Sequence, residues 1–192
     1  MAALTAAALS VAVPGSVEAA TGDTVSPARN NAHAEGVALV LNGVGVRNFL
    51  FLDFYQAALY LPRRLTHPDA VLNTDMPRRV RITLLHDVSA ERDVDFLLGG
   101  LKENNSAEEM AVIQAPLEQF LRLLRAMGTV PRGSVVMLDY RPGTGTRVLL
   151  DNQLLGTVPG AAFNRSVLKI WLGARPVQNS LKRDLLGGMQ AI

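Results

Sequence analysis

No cysteine occurs in the 192 residues, and histidine and tryptophan are scarce, at three and one. The first absence excludes a disulfide framework, a thiolate nucleophile and any cysteine-based zinc site. His33, His67 and His86 fall in separate segments without ligand-like spacing, so neither a metal site nor a bound cofactor is expected. Aromatic residues make up 5% of the chain, and none interleaves with the arginine clusters at Arg63-Arg64 and Arg78-Arg79-Arg81. With a formal charge of only +2, those clusters read as solvated strand ends and not as a nucleic-acid surface. Nothing beyond the N-terminal stretch reaches the roughly 18 apolar residues of a membrane span.

What is present is an ordinary globular composition, 48% hydrophobic and 19% charged, at a length that suits one domain with a real core. Residues 1–19, "MAALTAAALSVAVPGSVEA", combine a small-residue apolar stretch, a Pro-Gly break and small residues before Ala20, the pattern of an export signal. The usual positive start is missing, since no Lys or Arg precedes Arg29. A periplasmic or secreted protein is the expectation. Residues 20–35 lack periodicity and read as a flexible leader, which leaves 36–188 as the folded domain.

Within that domain "VALVL" is a β-rich run, "NGVG" a turn or bulge, and "FLFLDFYQAALYL" a strand covered on both faces, with a helix as the competing reading. "HPDAVLNT" suits a short helix, and "RRVRITLLHDV" alternates as a half-buried strand does. Ser89 can cap a helix carrying Val94, Leu97, Leu98 and Leu101 on one face. A second helix has Pro116 in its first turn, Leu117, Phe120, Leu121 and Leu124 on one stripe, and Gly128 at its end. "SVVMLDY", "TRVLL" and "QLLGTV" form a meander through "RPGTG" and "DN", with Asp139 and Asp151 flanking turns. A helix with Phe163, Val167, Ile170 and Trp171 on one face and a last helix containing "LKRDLLGG" close the chain. Strands in two groups, with helices between and after them, predict an α+β fold: one antiparallel sheet with helices on one face.

Chemistry-bearing residues are few. "GVGVRN" supplies two glycines of a dinucleotide fingerprint, but Asn48 stands at the third position and no helix follows. "GTGT" at 143–146 reads as a hairpin turn, and Ser89, Ser134 and Ser166 lack a serine elbow. Arg47 stands next to a long apolar run, either as a surface or turn arginine or as the anchor of an anionic head group, since a guanidinium donates two parallel hydrogen bonds to a carboxylate. Tyr55 is the natural second donor. On one straight strand the two would stand about 26 Å apart, so they can share a ligand only if the chain reverses near residues 47–49.

Together, "NGVGVR", "FLDFYQAALYLP", "RRVRITLLHDVSAE", "GTRVLLDNQLLGTVPGAAFNRSVLKIWLG" and "SLKRDLLG" resemble the chalcone isomerase family, in particular its bacterial, signal-peptide-bearing branch. The resemblance implies an open-faced β-sandwich, in which a large antiparallel sheet is layered with helices around a ligand cleft, and it supplies the reversal that the pairing requires. In plant members that cyclise chalcones, an arginine on the first hairpin steadies an oxyanion; Arg47 matches it. The family's other polar positions fall on Tyr55, near Asp93, near Gly100 and on Ile170, so four of five are replaced. The plastid fatty-acid-binding branch instead uses an arginine and a tyrosine to grip a carboxylate, and Arg47 and Tyr55 look like that pair. The implied lining is Phe51, Phe54, Leu97, Leu98, Leu121, Val167, Ile170 and Trp171. Three functions follow as expectations: binding of a small amphipathic anion such as a fatty acid, an intramolecular lyase with Arg47 at the oxyanion, or a structural module with a vestigial cleft.

Overall fold

The segment from Val37 to Leu61 folds back on itself as a hairpin, so the helical alternative for "YQAALYL" is excluded. We describe a computed structural model of the chain, in which residues 31–34, 36–50 and 52–188 are described. In order these are β1 (Asn31–Ala34), β2 (Val37–Phe49), β3 (Leu52–Leu61), α1 (Pro68–Leu72), β4 (Arg78–Leu84), β5 (Val88–Ser89), α2 (Ala90–Asn104) and α3 (Ala107–Val112). There follow α4 (Gln114–Ala126), β6 (Thr129–Val130), β7 (Val135–Arg141), β8 (Gly145–Leu150), β9 (Gln153–Val158), α5 (Ala161–Leu172) and α6 (Asn179–Leu185). The export signal read at 1–19 lies outside the described residues. Of the leader read at 20–35, residues 31–34 form an edge strand paired with β2.

Among the described residues seven strands make one antiparallel sheet in the order β1-β2-β3-β4-β7-β8-β9, while β5 and β6 pair separately. Helices cover one face, which makes the fold the expected α+β open-faced sandwich. The main core lies between that face (Ala57, Leu59, Val80, Leu138, Val148) and the apolar sides of α2, α4, α5 and α6. Alternation explains it: odd positions of β3 turn to the helices, while Ala58 and Tyr60 join Leu39 on the opposite face.

Three local readings need correction. "NGVG" is no turn: β2 continues through it with a bulge at Asn42, and the chain reverses only after Phe49, with Leu50 at φ 47. The arginine cluster of β4 is not solvated like Arg63 and Arg64. Arg78 is 3% exposed, its guanidinium donating to the carbonyls of Val71 (2.6 Å), Thr74 (2.9 Å) and Met76 (3.2 Å) and so closing the end of α1. Arg79 makes two bonds to Asp139, 2.5 and 2.6 Å; Asp139 is mid-strand in β7 and buried, and does not flank a turn. Successive side chains of a strand point to opposite faces, so Arg78 and Arg79 project to opposite sides of the sheet, and each meets buried oxygen there.

Sequence periodicity also passed over α3. Its signal was there in Ser106 to Glu109, a capping box in which each side chain accepts from the other residue's backbone N–H.

Candidate functional site

Positions 43, 45 and 47 of β2 share the helix-facing side of the sheet with their partners Leu59, Ala57 and Tyr55. Two of the three are glycines because α6 lies directly on them. A Cβ built on Gly43 would stand 2.0 Å from the Asp184 carbonyl oxygen, and one on Gly45 would stand 2.7 Å from the Asp184 Cβ. The glycines therefore admit a helix to the strand; they cradle no phosphate. The bulge beside them turns Asn42 the same way. Its Nδ2 donates to Leu185 O (2.7 Å) and Leu65 O (2.9 Å), and its Oδ1 accepts from Leu65 N (2.7 Å), so one buried amide ties the end of α6 to the segment after β3.

Arg47 stands directly across the hairpin from Tyr55. A second register shift follows at once, since Asn48 pairs with Asp53 and leaves Phe54 as the extra residue of β3. In a regular strand Phe54 and Tyr55 would point to opposite faces. The bulge lets both reach one cavity, with the Phe54 ring edge-on to His86 at 6.4 Å between centroids. Across the layer, Trp171 of α5 donates its indole N–H to the Tyr55 hydroxyl at 3.0 Å, which fixes the direction from which that oxygen can donate in turn.

The guanidinium of Arg47 is held by its own strand and by the connection between α5 and α6. Its Nη1 donates to the carbonyl of Asn48 and, at 3.1 Å, to Gln178 Oε1. The same Oε1 accepts the Asn48 backbone N–H at 3.0 Å, while Gln178 Nε2 donates to Val46 O (3.3 Å) and Ser180 Oγ (2.6 Å). The end of β2 is thereby anchored to α6, whose N-cap is Gln178.

These groups border a cavity of about 270 Å³ between the sheet and the helices. Ile82 and Leu84 of β4, Val136 and Leu138 of β7 and the inner faces of α4 and α5 supply apolar wall, and Val88 and Val130 of the small β5–β6 pair close one side. Among the described residues of the wall Arg47 alone is charged, and the remaining polar atoms belong to Tyr55 and Trp171. A small polar group in an otherwise apolar cleft is the usual make-up of a small-molecule site, which spans roughly 300–1,000 Å³.

Of the residues singled out by sequence, Arg47, Tyr55, Phe54, Leu97, Val167, Ile170 and Trp171 border the cavity. Leu98 and Leu121 do not; both pack in the main core instead, because the stripe they share with Leu97 and Phe120 is wider than the cavity. Phe51 lies outside the described residues. Phe96 was not on the apolar stripe of α2, yet it forms part of the rim while 68% exposed. Gln178 carries no sequence signal at all, being 131 residues from Arg47 and outside any periodic pattern. The perturbed titrations lie elsewhere: burial pulls Arg78 down to about 10, and burial together with the Asp75 carboxylate pushes Tyr140 up to about 12. Both groups keep their ordinary protonation at neutral pH.

No curated protein matches the sequence significantly. Among solved structures, the crystal structure of a fatty-acid binding protein of Arabidopsis thaliana is similar, with a TM-score of 0.62 and 17% identity over 86% of this chain and 91% of that one. At that identity the likeness concerns the fold. The family model described as chalcone isomerase-like matches residues 22–187, nearly the whole domain and the strand before it. The chain belongs to the chalcone isomerase-like family.

Proposed function

We propose that the protein binds an amphipathic carboxylate, such as a fatty acid, without transforming it. The carrying observation is the pairing of Arg47 with Tyr55 at the border of an otherwise apolar cavity. A carboxylate gains charge-assisted bonds from the guanidinium and a further bond from the phenol, while the acyl chain exchanges water for aliphatic wall. The fold shared with a fatty-acid binding protein supports the reading. It is also supported against an isomerase by the wall itself: ring closure needs hydroxyls to organise water and an oxyanion, and among the described wall residues Tyr55 offers the one hydroxyl. The export-like pattern of residues 1–19 supports a periplasmic or secreted location as part of the same proposal.

Calorimetric titration with decanoate tests the proposal. The native protein is expected to bind it and Arg47→Ala to bind about 10- to 100-fold more weakly, the worth of a hydrogen bond to a charged group. Equal affinity in the two would remove Arg47 from the site and the proposal with it.

A further inference from the structure

We infer that Gln178 sets the site's selectivity for anions by holding Arg47 through an acceptor that carries no negative charge. The inference rests on the carboxylate-binding reading and adds a specificity determinant to it.

The orientation of the Gln178 amide follows from its surroundings. Donors face Oε1, namely Arg47 Nη1 and the Asn48 N–H, and acceptors face Nε2, namely Val46 O and Ser180 Oγ. A flipped amide would set its NH₂ against two donors and its oxygen against a carbonyl. All four bonding positions of the amide are in use, so the side chain is fixed between the hairpin and the first turn of α6.

A fixed guanidinium is what a carboxylate site requires, because a free arginine side chain loses rotamer freedom when it binds. A carboxylate at position 178 would also hold Arg47, but it would set a negative charge beside the place where the ligand's own carboxylate must sit. The amide holds the cation without adding that charge. Glutamine and glutamate differ little in shape, so the choice between them sets the charge of the site, although a glutamate also gives up the amide's donations to Val46 O and Ser180 Oγ. The same logic makes Gln178 a positioning residue: it acts on the ligand through Arg47.

The test compares decanoate with 1-decanol, which share a chain and differ in the charge of the head. Native protein is expected to prefer decanoate. Gln178→Glu is expected to lose about 10- to 100-fold in decanoate affinity while decanol affinity stays within about threefold. Gln178→Ala, which loosens Arg47 without adding a negative charge beside it, is expected to weaken decanoate by less than Gln178→Glu does and to keep the preference for acid over alcohol. If Gln178→Glu weakens both ligands alike, or neither, or if Gln178→Ala weakens decanoate as much as Gln178→Glu, the residue is a structural clamp and the inference fails while carboxylate binding stands. If native protein shows no preference for decanoate, the underlying reading fails as well. Circular dichroism melts of both variants separate loss of fold from loss of charge selectivity, and Gln178→Ala carries the comparison should Gln178→Glu be unfolded: decanol-like affinity for decanoate in Gln178→Ala would then overturn it.

Discussion

Gly43→Ala is expected to destabilise the protein by about 3 kcal/mol or more, at the upper end of what forcing a single extra carbon into a packed interior costs. The reason is the identity of what it meets. The added methyl would fall 2.0 Å from the Asp184 carbonyl oxygen and 2.7 Å from backbone atoms of Leu185, and a helix backbone cannot swing aside as a side chain does. Relief requires α6 to lift from β2, which would also draw Leu185 O away from Asn42 and disturb Gln178 at the start of the same helix. Gly99→Ala is the control. That glycine is exposed inside α2, a Cβ there meets nothing within 4 Å, and the substitution is expected to stabilise by about 0.5–1 kcal/mol. Denaturant unfolding of the two variants should therefore show shifts of opposite sign; a Gly43→Ala midpoint equal to the native one would show that α6 is not held against β2.

Asp139→Ala is expected to cost about 3–5 kcal/mol. Its carboxylate is 4% exposed and takes both bonds from Arg79, whose side chain keeps 15% exposure, so some of the stranded charge can be relieved by water and the lower figure is favoured. The hydrogen bond to Asp139 raises the Arg79 pKa, as a partner that favours the charged form must. Replacing both members with leucine should recover most of the loss, because the pair's attraction is largely offset by the desolvation of two charges. A double-mutant cycle in urea measures this; additive losses would mean that the two side chains are energetically independent despite their geometry.

The order and type of the larger elements were legible because each rests on local chemistry. The 3.6-residue stripe of α4, the left-handed Gly128 that ends it and the Asp151-Asn152 turn between β8 and β9, with φ of 48 and 69, all carry their signal within a few residues. Arg47 and Tyr55 were legible for a different reason, as an anomalous charge and a hydroxyl beside an apolar run. What could not be read was decided by contact at long sequence separation. Whether glycines 43 and 45 meet a ligand or a helix depends on Asp184 and Leu185, some 140 residues on. The bulge that adds Phe54 to the wall depends on how β3 registers against β2, and Arg78 reads as a surface charge until the carbonyls at the end of α1 are placed around it.

Trp171 is the only tryptophan in the chain, and it borders the cavity with its indole N–H bonded to Tyr55. The tryptophan emission of the protein, excited to the red of tyrosine absorption, therefore originates at the candidate site, with no second indole to dilute it. A ligand that displaces water from the wall is expected to shift that emission to shorter wavelength, and Tyr55→Phe, which removes the acceptor, to alter the spectrum of the empty protein. The molecule thus carries its own optical gauge of occupancy, readable without a label.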